Sequence, residues 1–179
     1  RFRSIRWFGD ELTAFLDAPP ERLPHPALAD VARMDWAIRS AFDAAGAAPL
    51  TLSDLAALAP ERWPQRRFAL LPSLRLVDLD WAVEPIWRVL NEDAAAETEA
   101  PDPLAHVLLV WRPELECLWR SAGPVEAIAL RTLAQGARFA ECCTAIAETG
   151  EPDPATTAAG LLQRWVIDGL LVKNQAENG

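Results

Sequence analysis

Two histidines, three cysteines and 26 carboxylates are the side chains through which this 179-residue sequence could do chemistry. His25 lies in a Pro-rich stretch and His106 at the start of an apolar run, and neither a His-x-x-x-His nor a Cys-x-x-Cys spacing occurs. A transition-metal site draws on several His, Cys or carboxylate ligands at paired spacings, so no metal or cofactor is expected in this chain. Cys142 and Cys143 are adjacent. On a helix they would point about 100° apart, and a bond between them would be strained. With Cys117 they make an odd count, which reads as reduced thiols and not as a disulfide framework. There is no dinucleotide-binding or phosphate-binding glycine pattern, no G-x-S-x-G, and no local Ser/His/Asp set. The expectation is a chain without catalysis of its own. Asp35 stands apart because it falls in an apolar helical stripe. It could be a buried, perturbed acid; an ion pair with Arg39 one turn on, or with Arg75, is the favoured reading.

Charge narrows the classes further. The net charge is −9, with sixteen Arg and the single Lys173. Residues 1–91 carry 11 basic and 12 acidic side chains, residues 92–179 only 6 basic against 14 acidic. Nucleic-acid binding rests on neutralising phosphates with Arg and Lys, and the C-terminal half is poorly suited to it. No apolar run is long enough to span a membrane, and no signal peptide is visible, so a cytoplasmic protein without membrane contact is expected. The sequence opens on Arg1 inside what reads as a helix, so a preceding portion is expected to be missing. Eight Trp are many for this length. Most should lie in the core, and the surplus marks protein-binding surface.

The elements that would position these residues follow from periodicity and punctuation. Residues 1–17 read as a helix carrying Phe2, Trp7, Phe8 and Phe15, stopped by Pro19-Pro20. Residues 27–45 read as the clearest helix of this half, with Leu28, Val31, Ile38 and Phe42 as its apolar stripe and Gly46 as its C-cap. Thr51 and Asp54 form a capping-box pattern, with Leu50 and Leu55 as its staple. Pro72 divides an extended stretch into 68–71 and 74–79. Val83, Ile86, Trp87 and Leu90 mark a further helix. Residues 91–103 are acidic, Pro-ended and without apolar period, and are expected to be a linker. Beyond it, residues 105–112 and 115–120 read as a hairpin around Pro113-Glu114. Three helices follow: one from Gly123-Pro124 to Gly136, burying Val125, Ile128, Ala129 and Leu133; one carrying Phe139, Cys142, Cys143 and Ile146 up to Gly150; and one capped by Asp153. The expected fold is α+β and mostly helical: an N-terminal helical unit (1–90) with a short extended segment, an acidic linker (91–103), a unit of hairpin plus three helices (104–173), and a tail (174–179).

Leu28-Ala-Asp-Val-Ala-Arg-Met-Asp-Trp36, followed by Ala41-Phe42-Asp43 and Ala48-Pro49-Leu50, resembles the HvfC/BufC/MbnC family, often described as DNA-binding. Leu71-Pro72-Ser73 running into Pro85-Ile86-Trp87 adds to the likeness, which spans nearly the whole sequence. Many members have a longer N-terminal helical region, and the portion expected to be missing before Arg1 would correspond to it.

The resemblance implies a non-catalytic accessory subunit. Its partners would be a multinuclear non-haem iron oxidase, which holds the iron, and a Cys-containing precursor peptide, as in bufferin or methanobactin biosynthesis. The C-terminal unit is also similar to PqqD-like recognition elements, which have a winged-helix-like arrangement and bind a leader peptide as an added strand. Val107, Leu109, Trp111, Leu115, Cys117 and Trp119 are the candidate peptide contacts, and either hairpin strand could be the free edge. Asp35, Trp36, Arg39, Trp63, Arg75 and Trp87 are the candidate oxidase-docking residues. An acidic surface favours a leader with some Lys or Arg. The alternative is a winged-helix DNA-binding regulator, whose recognition helix at 139–148 would carry Glu141 and Glu148 with only Arg138 at its start.

Overall fold

The computed structural model describes residues 12–17 and 23–173. Their order is helix α1 (Leu12–Asp17), α2 (Ala27–Phe42), α3 (Leu52–Ala56), a 3-10 turn (Pro60–Gln65), strands β1 (Ala69–Leu70) and β2 (Arg75–Trp81), α4 (Glu84–Glu92), β3 (Pro103–Trp111), β4 (Leu118–Ala122), α5 (Pro124–Ala134), α6 (Phe139–Ala147), α7 (Pro154–Ile167) and β5 (Leu171–Val172). The fold is α+β and mostly helical, as the patterning predicts. Phe2, Trp7, Phe8, Pro19-Pro20 and the tail 174–179 lie outside the described residues.

The organising element is an antiparallel sheet in the order β2-β3-β4. Side chains alternate across a strand, and both faces of this sheet are covered. Val77, Leu79, Leu108, Val110 and Trp119 face a core built with Ala27, Met34, Ala37 and Ala41 of α2 and Trp87 of α4. Leu76, Val107, Leu109, Trp111 and Ala122 face the larger core, filled by Leu130 and Leu133 of α5, Cys142 and Ile146 of α6, and Leu162 and Trp165 of α7. Three layers result, with the sheet in the middle.

The stretch 91–103 connects α4 to β3, but packing crosses the expected boundary. β2 from one side of it pairs with β3 from the other, from Arg75 opposite Val110 to Trp81 opposite Pro103. A second ribbon does the same, since β1 pairs with β5 at Leu70 and Leu171. The reason is the third strand. A two-stranded hairpin buries little alone, and β2 completes the sheet on which both helical layers pack.

Local chemistry sets the ends of the elements. Thr51 and Asp54 make the reciprocal capping box that starts α3, with Leu50 and Leu55 buried beneath it. Asp153 accepts from the Thr156 N–H to start α7. Gly136 and Gly150 sit at φ +77° and +86°, where a side chain is disfavoured and helices end. Gly46 does not have that geometry: α2 stops earlier, capped by Asp43 in the right-handed region. The expected stripe of α2 also needs correcting. Ala27, Asp30, Met34, Ala37 and Ala41 are its buried line, whereas Leu28 and Phe42 are exposed. Small side chains let α2 approach the sheet closely; Val31 and Ile38 of the expected stripe pack half-buried against the same core, and Leu28 and Phe42 are left on the flank. On α5, likewise, Ile128 is exposed and Val125 only half-buried, while Ala127 and Leu130 turn inward.

Candidate functional site

In an antiparallel sheet the N–H and C=O of one residue point to the same side, and successive residues alternate. Ser73 fixes the phase here. Its Oγ donates to the Arg112 carbonyl (3.1 Å) and accepts from the Arg112 N–H (3.0 Å). Arg112 therefore faces the β2 side, and so do Val110, Leu108 and His106 of β3. Trp111, Leu109 and Val107 then face β4, opposite Leu118, Arg120 and Ala122. It follows that Trp119 and Ser121 turn their backbone groups outward. Among the described residues no strand lies beyond β4. The Arg120 guanidinium reaches the Ser121 carbonyl at 3.3 Å.

The same phase puts Leu76, Asp78 and Asp80 on the outer side of β2, and there the protein fills part of the edge itself. The sheet register shifts between Leu79 and Trp81. Into that bulge the Asp30 carboxylate accepts from the N–H groups of Asp80 (2.7 Å) and Trp81 (3.0 Å). Asp30 is 1% exposed and also pairs with Arg33. Bulges and inward-pointing charges are the ordinary means of blocking an edge strand. Arg131 of α5 reaches over to the Asp78 carboxylate at 2.5 Å.

Different groups flank β4 on its two faces. On the α4 face, Arg88 lies 5.0 Å over the Trp119 ring. One alternation along, the Ser121 hydroxyl donates to Glu84 Oε1 (3.3 Å), the same oxygen that His106 Nε2 meets at 2.9 Å. On the opposite face Arg120 is locked in place. It forks onto Glu126 (2.6 and 2.9 Å) and onto Asp168 (2.9 and 3.1 Å). The Trp165 indole donates to Glu126 as well, at 2.9 Å. Burial pushes the Glu126 carboxyl up, but the hydrogen bonds from Arg120 and Trp165 and the charges of Arg120 and Arg164 hold it below its ordinary value. This network ties β4 to α5 and to the end of α7, where Ile167 is exposed, as is Leu118 on the strand. β4 is thus a rigid strand with an open side.

The candidate peptide contacts separate accordingly. β3 is the central strand, so it cannot be the edge. Leu109 (0% exposed) and Trp111 (5%) are core under the helical layer and cannot touch a peptide. Val107 is half-buried and packs into that same core. Leu115 is exposed at the hairpin tip. Cys117 lies just before β4 with its thiol 3.4 Å from the Ile38 carbonyl. Trp119 alone of the six is a residue of the open edge. The return strand begins later than expected, at Leu118, because residues 113–117 form the turn.

The candidate docking residues do not form one patch. Asp35 and Arg39 pair at 2.6 Å on α2, and Trp36 is half-buried on the same helix. The favoured ion-pair reading of Asp35 therefore holds, and the buried acid of this helix is Asp30. Arg75 is committed to the fold, bonding Ser40, Pro72 and Leu74. Trp87 packs under α4. Trp63 is on another side of the molecule, edge-on to Phe139 at 6.0 Å, where it borders a cleft of about 530 Å³ shared with Cys143. The thiols are free. Burial, then the neighbouring Cys143, pushes Cys142 up to about 11. Burial also raises Cys117 and Cys143. A raised thiol pKa lowers the thiolate fraction at all three; only Cys142 is also fully buried.

Asp30, Glu84, Arg88 and Ser121 were missed by sequence reasoning. Asp30 had a signal, since it is in phase with Ala27, Met34, Ala37 and Ala41. Glu84 and Ser121 had none, because their contact joins residues 37 apart across the acidic connection. No helix among the described residues is long and apolar enough to cross a membrane. No protein-family model matches the chain, and no curated protein matches it.

Proposed function

We propose that this protein is a non-catalytic adaptor that holds an extended peptide along β4 and presents it to a partner enzyme. The observation that carries this reading is the contrast between the two sheet edges: β2 is bulged and blocked in part by Asp30 at Asp80 and Trp81, whereas β4 turns the backbone groups of Trp119 and Ser121 outward. Strand addition takes its affinity from such main-chain groups and its selectivity from the flanking side chains. The hairpin β3–β4 followed by three helices supports the reading through the likeness to PqqD-like recognition elements. The likeness to the HvfC/BufC/MbnC family supplies the rest of the proposal: a Cys-containing precursor peptide, a multinuclear non-haem iron oxidase as partner and iron held by that oxidase; a cytoplasmic setting is proposed from the free thiols. Asp35, Trp36 and Arg39 on α2 are the docking candidates that remain at an accessible surface. A DNA-binding reading has less support, because α6 presents Glu141 to solvent and Glu148 follows at its end.

The test is Ser121→Pro. Proline at this position removes an outward N–H and leaves the β3 ladder intact, which edge strands tolerate. Peptides selected from a displayed random library on the full chain should bind this variant roughly tenfold more weakly or worse, with circular dichroism unchanged. Undiminished binding by a folded Ser121→Pro chain would rule out the β4 edge. Copurification with a coexpressed iron oxidase, weakened by Trp36→Ala, tests the partner.

A further inference from the structure

The α4 face of the open edge carries one charge of each sign, at the two positions where an added strand would pair. Residues directly opposite each other on neighbouring strands point to the same face, with Cβ atoms about 5 Å apart. A peptide residue opposite Ser121 therefore projects toward Glu84, and the residue opposite Trp119 projects toward Arg88. Both Ser121 and His106 use Glu84 Oε1, and among the described residues no hydrogen bond engages Oε2. Glu84 retains 14% side-chain exposure. Arg88 is exposed and lies over the Trp119 ring; among the described residues it makes no ion pair with a carboxylate.

We propose that Glu84 and Arg88 determine specificity, selecting a peptide with a cationic side chain opposite Ser121 and, two residues away, an anionic side chain opposite Trp119. This rests on the strand-addition reading and adds a charge register to it. The geometry favours such a pair over a uniformly basic peptide, because a second cation would be placed against Arg88, where like charges on the same face repel. The single intervening peptide residue lies opposite Arg120, whose charge is already met by Glu126 and Asp168, so no charge is required of it. The register also has a rigid base. Trp119 and Ser121 are held by a strand whose Arg120 is fixed on both sides by carboxylates.

The experiment is selection of a displayed random peptide library on the full chain and on three variants. Glu84→Gln keeps an amide oxygen for Ser121 and removes the charge. Arg88→Glu changes an exposed residue. Ser121→Pro blocks strand pairing. The parent chain should enrich Lys or Arg two positions from Asp or Glu. Glu84→Gln should reduce the cation enrichment about tenfold while the anion preference stays. Arg88→Glu should convert the anionic position to a cationic one. If Ser121→Pro abolishes selection but the parent and both charge variants enrich the same sequences, the charge register is wrong and strand addition stands. If Ser121→Pro selects the same peptides as the parent, or the parent enriches nothing, both fail. Should Glu84→Gln not fold, Arg88→Glu decides alone, since an unchanged anionic position in that variant contradicts the register.

Discussion

At the scale of single residues, the side chain that matters most to the edge argument is Asp30. One carboxylate oxygen serves two backbone N–H groups at a sheet bulge, from a site almost without exposure. Removing it strands two donors and leaves Arg33 beside the gap. Asp30→Ala should cost about 3 kcal/mol, whereas Asp30→Asn, which keeps an accepting oxygen, should cost clearly less. Urea unfolding of the two variants measures this; equal and small losses would show that the bulge does not depend on the carboxylate. The comparison of Asp30 with Asp35 also shows where residue-level legibility ends. Periodicity called attention to an acid on α2 but chose the flank, because the stripe was drawn through large apolar residues. The buried line is mainly alanine, which carries little hydropathic signal yet permits the closest approach to a sheet.

At the scale of elements, turn and cap chemistry was the most readable part of the sequence. The capping box at Thr51 and Asp54, the Asp153 cap and the stops at Gly136 and Gly150 all formed where local rules put them, because each is satisfied within a few residues. The Asp54 carboxyl is held down to about 2 by the Thr51 hydroxyl first and by Lys173 second. A depressed carboxyl pKa stabilises the fold above the ordinary range near 4, and that stabilisation is lost as pH falls toward 2. Thr51→Ala should therefore return Asp54 toward its ordinary value in an NMR titration and destabilise the chain by about 1 kcal/mol. An unmoved Asp54 would assign the depression to Lys173 and the Thr51 backbone N–H, which this substitution leaves in place. The strands were legible as strands, but their order was not. The pattern 105–120 announces a hairpin, yet nothing local reveals that β2, on the far side of an acidic connection, takes the place beside β3 and makes it central. That hidden neighbour is why Leu109 and Trp111 were read as edge residues.

For the whole molecule, the sheet makes the two halves of the sequence depend on each other. Residues 93–100 are almost all exposed, so limited proteolysis should cut there readily. Because β2–β3 and β1–β5 both pair across that connection, the fragments should stay together through native size exclusion and separate only in denaturant. Fragments that part under native conditions would mean that the halves are independent. The three-layer arrangement also leaves few ways for the molecule to bind an extended chain, since both faces of the sheet are covered and one of its edges is blocked in part by Asp30. The most direct measurement is residue-resolved amide hydrogen exchange of the full chain, free and with a selected peptide bound. Strand addition at β4 predicts an alternating signature: the amides of Trp119 and Ser121 exchange fast in the free protein and become protected on binding, while Leu118 and Arg120 are protected in both states. A bound peptide that leaves Trp119 and Ser121 fast, or that protects Leu76 and Asp78 of β2 instead, would contradict it.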